Sequence, residues 1–294
     1  MVVGPTGSGK TALAVTLARH YHAPILSTDS RQFYRGLPIG TAQPTAEELA
    51  AATHYFIADR EVEDDFNCGK YEVEALALLE RLFAKNDYVV AVGGSGLYIQ
   101  ALCDGMDDLP EADATLRESL RERLAAEGLG ALVAELQRLD PDYAESVDTR
   151  NPARVMRALE VCLTTGRPYS AQRHGAKATR PFNIIKVGTD MPRDILYDRI
   201  NRRVDIMVAD GLVDEARAMY PKRHLNALQT VGYRELFDHF DGTITLDEAI
   251  ELIKRNSRHY AKRQLTWFRR DTTIGWFAPE RIEEIIAYID SKIL

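Results

Sequence analysis

The sequence predicts an α/β fold in which a parallel sheet with flanking helices carries an inserted all-helical subdomain. Apolar strand-like runs alternate with helical patterns over the first third of the chain, which is typical of a parallel sheet with crossover helices. From about Ala112 to Ala171 nearly every segment is helical, and a strand pattern then returns. We therefore predict a core domain of residues 1–108 and 182–294, interrupted by a helical insertion domain of residues 109–181.

The first motif is a loop suited to binding an anion. It fits the strand–GxxxxGK[ST]–helix pattern of a P-loop, and the predicted helix is Ala12–Tyr21. Glycines let consecutive backbone N–H groups point at one anion, Lys10 adds a positive charge, and Thr11 offers a hydroxyl to Mg²⁺. The core is therefore predicted to be P-loop NTPase-like, with a phosphate-bearing ligand that need not be a nucleotide. The loop consists of Gly4, Pro5, Thr6, Gly7, Ser8, Gly9, Lys10 and Thr11.

The other core elements follow from apolar runs and helical periodicity. Before the insertion, strands are predicted at Pro24–Ser27 and Tyr88–Val92, and helices at Gly69–Ala84 and Ser95–Leu102. After it, a strand is predicted at Phe182–Gly188, and helices at Arg193–Ala209 and Asp247–Arg269.

Helix boundary signals organise the insertion. Two helices are predicted, Leu116–Ala126 and Leu129–Leu139. A third begins at Asn151-Pro152, an N-cap followed by proline at the first helical position, and stops at Gly166.

The charge distribution bears on the partners of the protein. A net charge of −7 argues against a generic nucleic-acid-binding protein, but binding depends on where the positive charge lies. Basic residues are concentrated in residues 150–180, 193–203 and 254–270.

The cysteines and the hydropathy bear on the compartment. Cys68, Cys103 and Cys162 are far apart and form no metal-binding or disulfide pattern. We recognise no signal peptide and no apolar run of membrane-spanning length. We therefore expect a cytoplasmic protein with no membrane partner.

Two predicted strand ends carry candidate chemistry, because ligands of open α/β sheets collect beyond the carboxyl ends of the strands. Asp29 follows the second strand and could act as a general base or bind magnesium through water, or it could simply form a turn. Ser95 follows the Gly93-Gly94 pair and could offer its hydroxyl to a ligand or cap the next helix.

Two helices carry clustered positive charge. Arg199 and Arg203 share one helix face and could grip a diphosphate, or they could belong to a solvated face with Asp198 and Asp205. On the last long helix, four cations fall within roughly a 60° arc at ~100° per residue, which favours a polyanion partner over a solvated face. They are Arg255, Arg258, Lys262 and Arg269.

Several aromatic residues could stack on bases, although aromatic side chains are more often part of a core. They are Tyr34, Tyr233, Trp267 and Phe268.

Taken together, the motifs resemble those of the bacterial tRNA dimethylallyltransferases, also called tRNA isopentenyltransferases, of the IPP transferase family. The matching segments are GPTGSGKT at Gly4–Thr11, DSRQFYR at Asp29–Arg35, GTAQPT at Gly40–Thr45, VGGSGLY at Val92–Tyr98, LP-x-AD at Leu109–Asp113, NPARVMRALEV at Asn151–Val161, QTVGYRE at Gln229–Glu235 and AKRQLTWFRR at Ala261–Arg270. The resemblance covers nearly the whole chain.

The resemblance implies transfer of a dimethylallyl group from dimethylallyl diphosphate to the exocyclic amine of the adenosine 3′ of a tRNA anticodon. The P-loop would then hold a prenyl diphosphate with Mg²⁺, and no nucleoside triphosphate would be consumed. Asp29, Thr11, Arg203 and Lys10 are the implied catalytic residues, with Thr11 at the metal.

The resemblance also implies a monomer whose insertion domain contacts the anticodon stem-loop of tRNA. The implied tRNA-binding residues are Asp29, Ser30, Arg31, Gln32, Ser95, Arg154, Arg157, Gln229, Gly232, Tyr233, Arg234, Lys262, Arg263, Gln264, Trp267 and Arg269.

The sequence departs from the family pattern at three positions. Phe33 replaces an aliphatic residue, Gln43 replaces a common lysine, and Ser95 replaces a frequent threonine. Three other functions remain open at this point: a P-loop kinase that uses ATP, a prenyltransferase acting on free adenine nucleotides, and an RNA-binding protein without activity.

Overall fold

A computed structural model describes residues 1–107, 109–110, 113–173, 175 and 178–293. The chain divides into two compact units. One comprises Met1–Cys103 and Arg180–Leu294, and the other comprises Asp104–Thr179. The divisions thus lie within a few residues of the predicted domain limits. Each unit is described below by itself.

The core unit is built on a six-stranded sheet in which every neighbouring pair of strands is parallel. The strands are β1 (Val2–Val3), β2 (Ile25–Ser27), β3 (His54–Tyr55), β4 (Val90–Gly93), β5 (Val187–Thr189) and β6 (Gly275–Phe277). Their order is β3-β2-β4-β1-β5-β6, so β1 is flanked by β4 and β5. The predicted α/β class is confirmed.

The predicted strand Phe182–Gly188 is corrected to a much shorter one. Only Val187–Thr189 forms β5, because its partner β1 offers just Val2 and Val3 for pairing. Phe182 instead packs its ring against Phe83, with the ring centroids 5.4 Å apart. The sequence analysis did not predict β3 and β6, since strands of two or three residues are too short to show a periodicity.

Four helices precede the insertion: α1 (Lys10–His20), α2 (Ala46–Ala51), α3 (Cys68–Phe83) and α4 (Gly96–Asp104). The start of α2 is a capping box, in which Thr45 accepts from the Glu48 N–H and the Glu48 side chain accepts from the Thr45 N–H. The side chain of Asn67 caps the start of α3. Buried apolar side chains of α1 pack against the sheet beside Val2 and Ile25.

The described residues of the insertion unit contain helices and no strand. The helices are α5 (Ala114–Glu127), α6 (Leu129–Leu139), α7 (Pro141–Ser146) and α8 (Pro152–Thr165), and Ser170–Gln172 adds one 3₁₀ turn. They share a small core that includes Leu120, Leu136 and Leu159. Asn151 caps α8 and Gly166 ends it in the left-handed conformation, as predicted. Helix α6 ends at Leu139 as predicted, and Pro141 then opens α7 behind its cap Asp140.

Five helices follow the insertion: α9 (Arg193–Ala209), α10 (Leu212–Met219), α11 (Tyr233–Phe240), α12 (Leu246–Phe268) and α13 (Ile282–Ile293), with 3₁₀ turns at Tyr220–Lys222 and Asn226–Leu228. The long helix α12 starts with the capping box of Thr245 and Glu248. Within the described part of the chain, no helix has the length and apolar character needed to cross a membrane.

One carboxylate connects the segment after β2 to the C-terminal helices. Glu215 on α10 accepts hydrogen bonds from the N–H groups of Ile39 and Gly40, each 2.8 Å long, and from the hydroxyl of Tyr233 at 2.6 Å. Hydrogen bonds to an ionised acceptor are stronger than neutral ones. Glu215 therefore holds the GTAQPT segment in place.

We expect Glu215→Gln to lower the free energy of unfolding by about 1–3 kcal/mol, because an amide cannot accept all three bonds and its NH₂ group would face a backbone donor. Urea denaturation monitored by circular dichroism measures this change. Glu122→Gln, at an exposed position in α5, is the matched control. Equal stability of the two variants would contradict this role of Glu215.

Candidate active site

A cavity of about 410 Å³ lies at the carboxyl ends of β1, β2 and β4. These are the strand ends where an open α/β sheet binds its ligands. Helices α9 and α12 contribute Arg203 and Tyr260 to its wall. The predicted site residues that line it are Thr6, Lys10, Thr11, Asp29, Ser30, Arg31, Gln32, Arg203, Gln229, Gly232, Arg234, Arg263 and Gln264.

The loop after β1 has the backbone geometry of an anion site. Gly7 and Gly9 have φ of 79° and 84°, in the left-handed region that favours glycine. No described residue accepts a hydrogen bond from the N–H groups of Gly9, Lys10 or Thr11, which open α1. These donors and the helix dipole favour a negative charge at this point.

Side chains on either side hold the loop in this form. The Ser8 hydroxyl lies 2.8 Å from the Pro5 carbonyl oxygen, to which it donates, and 2.6 Å from the Thr189 hydroxyl on β5. Gly4 has no room for a side chain, since a Cβ there would lie 2.1 Å from Thr189 Oγ1. The Lys10 Nζ donates to the Pro5 carbonyl oxygen at 2.6 Å.

Two cations beside the loop are half-buried. Burial lowers the pKa of Lys10 to about 8, Arg203 acts in the same direction, and the nearby Asp29 opposes the shift. Burial likewise lowers the pKa of Arg203, again against the effect of Asp29. A bound anion would compensate the positive charge that burial disfavours. Arg203 thus lies where the sequence predicts a diphosphate contact.

Arg199, the second arginine of the predicted pair, is exposed. A Cβ placed on Gly9 would lie 3.7 Å from its Nη2, so Arg199 stands beside the loop. The two aspartates of the alternative reading pair with other cations. Asp198 pairs with Arg202, and Asp205 pairs with Lys254.

Asp29 forms the turn that was one of its two alternatives, and its role as a base or magnesium contact stays a prediction. Its Oδ1 accepts from the Arg31 N–H at 2.9 Å, which makes it a turn former. Among the described residues no donor bonds its Oδ2, and the side chain lines the cavity. One oxygen therefore fixes the carboxylate while the other remains for a ligand.

The end of β4 adds a group of hydroxyls. Ser95 is 8% exposed, and its hydroxyl accepts from the Ser30 N–H at 2.9 Å and donates to the Ser30 hydroxyl at 3.0 Å. Tyr260 on α12 interacts with Ser95, and burial raises the pKa of its phenol to about 12. The sequence analysis did not identify Tyr260 as a site residue. Its position one turn before Gln264 is the signal that could have identified it.

The glutamine that replaces the common lysine is accommodated by two backbone acceptors. Gln43 Nε2 donates to the carbonyl oxygens of Tyr34 and Gln32, at 2.8 and 3.1 Å. The Gln32 side chain also bonds its surroundings: its Nε2 donates to the Ala42 carbonyl oxygen at 2.8 Å, and its Oε1 accepts from the Ser27 hydroxyl. The Gln32 amide therefore helps to shape the cavity wall, and its contact with RNA stays a prediction.

Burial excludes two predicted RNA contacts, Tyr233 and Gln264, and shows that two of the possible stacking residues belong to the core. Tyr233 is fully buried and bonds Glu215, so its ring is inaccessible for stacking. Tyr34 and Phe268 are core residues, at 2% and 3% exposure. Gln264 is 6% exposed, and both ends of its amide bond the backbone.

Other predicted contacts remain accessible. Trp267 is 38% exposed. The cations Arg255, Lys262, Arg263 and Arg269 on α12 are also exposed, and so are Gln229, Arg234 and, in the insertion unit, Arg154.

Three of the predicted cations have partners inside the protein. Arg258 donates to Asn201 at 2.6 Å. Arg269 pairs with Asp190 at 3.0 Å. In the insertion unit, Arg157 donates to the Pro110 carbonyl oxygen.

The oxygen atoms beside the anion site suit a hard cation such as Mg²⁺ better than a soft one. The described residues contain no cluster of three or more metal-binding side chains. The Thr11 hydroxyl and the Asp29 carboxylate nevertheless line the cavity beside the anion site. Oxygen ligands in such small number fit a magnesium ion that keeps most of its shell for water and substrate phosphate.

Comparison with known proteins places this geometry in a family. The family model described as IPP transferase matches residues 32–271. A tRNA dimethylallyltransferase 1 from Phocaeicola vulgatus is 50% identical over 291 residues, which are 99% of this chain and 97% of the relative. A tRNA dimethylallyltransferase 2 from Porphyromonas gingivalis is 52% identical over 281 residues, covering 95% and 93%.

Solved structures show the same fold. The full-length tRNA isopentenylpyrophosphate transferase from Bacillus halodurans superposes with a TM-score of 0.73 at 38% identity, covering 99% of this chain and 95% of the other. A eukaryotic dimethylallyltransferase acting on tRNA superposes with a TM-score of 0.79 over 95% of this chain and 73% of the other, and at 23% identity it supports the fold alone. From the extent of the family match and the identity to these relatives, the chain belongs to the IPP transferase family.

Proposed function

We propose that this protein transfers a dimethylallyl group from dimethylallyl diphosphate to the exocyclic amine of the adenosine 3′ of the anticodon in tRNA. The observation that carries this proposal is a single cavity in which the anion-binding loop faces Asp29 at the end of β2. A phosphate site beside a general base is what alkylation by a diphosphate ester requires. Membership in the IPP transferase family supports the same reaction.

Departure of the diphosphate is the first requirement of the reaction. The bond between the allylic carbon and the diphosphate oxygen breaks, and the leaving group keeps the electron pair. Lys10, Arg203 and the loop N–H groups stabilise the charge that develops on that oxygen. Mg²⁺, held by Thr11 with a contribution from Asp29 through water, would supply further positive charge to the diphosphate.

Activation of the amine is the second requirement. The adenine nitrogen forms the new bond to the allylic carbon and loses one proton, which Asp29 Oδ2 accepts. The adenine has to leave its stack to enter the cavity. Ser30, which follows Asp29 in the chain, bonds Ser95, and Tyr260 interacts with Ser95, so these three residues form a polar group that would orient the base.

Two finer features accompany the proposal. We propose that the protein acts as a monomer. Because tRNA is the proposed acceptor, we place the reaction in the cytoplasm.

The direct test is to incubate the protein with unmodified tRNA, dimethylallyl diphosphate and Mg²⁺, and to analyse anticodon-loop fragments by mass spectrometry. We expect a gain of C₅H₈ on the adenosine 3′ of the anticodon. Parallel reactions with ATP as donor, and with AMP as acceptor, separate this function from a kinase and from a prenyltransferase of free nucleotides. Modification only of AMP, or phosphate transfer from ATP, would contradict the proposal.

We expect Asp29→Asn to slow transfer by about 10²–10⁴-fold, the usual cost of losing a general base, while the dissociation constant for tRNA changes by less than about threefold. The amide keeps the acceptor for the Arg31 N–H, so the turn is preserved. Single-turnover rates and filter binding measure the two quantities. A rate within threefold of the wild type would remove Asp29 from the proton transfer.

The pKa of Lys10 predicts how donor binding depends on pH. In the free protein this pKa is about 8, and a bound diphosphate raises it, so binding takes up a proton above pH 8. The affinity for dimethylallyl diphosphate should therefore be nearly flat from pH 7 to 8 and fall above pH 8, by at most about tenfold per unit. Lys10→Arg, whose side chain stays charged in this range, is the control and should lack the decline. A wild-type profile as flat as that of the control would refute the assignment.

The exposed cations of α12 predict a salt effect on tRNA binding. Replacing Arg255 and Lys262 together by glutamine should weaken tRNA binding. It should also reduce the slope of log Kd against log salt concentration by roughly 0.7–0.9 for each phosphate that the protein no longer neutralises. We exclude Arg258 from the test because it bonds Asn201. Lys292→Gln, on α13, is the control. Unchanged slopes in the double variant would show that this face is simply solvated.

A further inference from the structure

Gln264 lies inside the protein although it belongs to the motif that the sequence associates with RNA. Its Oε1 accepts from the Thr6 N–H at 2.8 Å, and its Nε2 donates to the Gly94 carbonyl oxygen at 2.9 Å. Only 6% of the residue is exposed. One side chain from α12 therefore bridges two backbone segments that come from different strands.

The two bridged segments are the two halves of the active site. Thr6 lies in the anion-binding loop after β1, and Gly94 follows β4, directly before Ser95. Because β1 and β4 are adjacent parallel strands, both segments leave the same edge of the sheet. The Gln264 amide thus sets the spacing between the proposed donor and acceptor sides.

The bridge has a tight fit at the β4 end. A Cβ placed on Gly94 would lie 2.3 Å from Gln264 Nε2 and 3.4 Å from the Gly4 carbonyl oxygen. Any side chain at this position would push the amide away from its acceptor. Glycine at position 94 is therefore a requirement of the bridge, and its backbone conformation is one that alanine can also adopt.

The opposite side of the loop is held from β5. There the Ser8 hydroxyl meets Thr189 at 2.6 Å. The two attachment points are Thr6 and Ser8, and Gly7 between them has a left-handed backbone. Without Gln264, the Thr6 N–H would lose its acceptor and the loop would be attached by side chains from β5 alone.

We propose that Gln264 is a positioning residue of the diphosphate site, which keeps the loop in its anion-binding form and makes no contact with RNA. The identity of the physiological diphosphate rests on the proposed function, but the bridge acts on any diphosphate. Preorganised donors bind an anion better than mobile ones because less conformational entropy is lost on binding.

The primary test is Gln264→Met, which preserves the length of the side chain and removes both hydrogen bonds. Calorimetry with inorganic pyrophosphate and Mg²⁺ should give a dissociation constant raised by about tenfold, which corresponds to ~1.4 kcal/mol. Filter binding should show a tRNA dissociation constant within twofold of the wild type. Lys262→Met, at an exposed position two residues earlier, is the matched control and should show the reverse pattern.

Gly94→Ala tests the same bridge without removing a functional group, and so decides the matter even where Gln264→Met does not fold. It should also weaken pyrophosphate binding, and the double variant should be no weaker than the poorer single variant. Pyrophosphate affinity unchanged in both single variants, or a loss of tRNA binding with pyrophosphate affinity intact, would overturn the proposal. Because pyrophosphate binding needs no turnover, this result is independent of whether the wild type modifies tRNA.

Discussion

The site depends on holding a short glycine-rich loop rigidly at the carboxyl end of β1. The Ser8–Thr189 contact on the β5 side and the Gln264 bridge on the β4 side attach this loop to its surroundings. The loop is therefore defined as much by side chains remote in sequence as by its own glycines.

The charges at the loop also come from residues that are remote in sequence. Lys10 and Arg203 are both half-buried beside the loop, and burial lowers the pKa of both. Asp29 offsets part of this cost, yet only one of its oxygens is bonded within the described structure. Such an arrangement is unfavourable for stability by itself and becomes favourable when a diphosphate enters. The local electrostatics are therefore those of a binding site rather than of a core.

Local signals were sufficient for much of the fold and of the anion site. The P-loop pattern, the cap at Asn151 and the stop at Gly166 act through adjacent residues, so the sequence alone reveals them. Burial is different, because it depends on what packs from elsewhere. Tyr233 and Gln264 look like RNA-facing residues in their motifs, but Glu215 and the loop after β1 turn them inward. Likewise β3 and β6 exist only because a neighbouring strand pairs with them.

Helix α12 combines two functions on its opposite faces. Its buried face carries Tyr260 and Gln264, which reach Ser95 and the anion-binding loop. Its outer face carries Arg255 and Lys262, both exposed. A helix is stiff over these few turns, so its two faces keep a fixed spacing. The proposed RNA-contacting cations and the side chains that reach the anion-binding loop are therefore held in register by a single element.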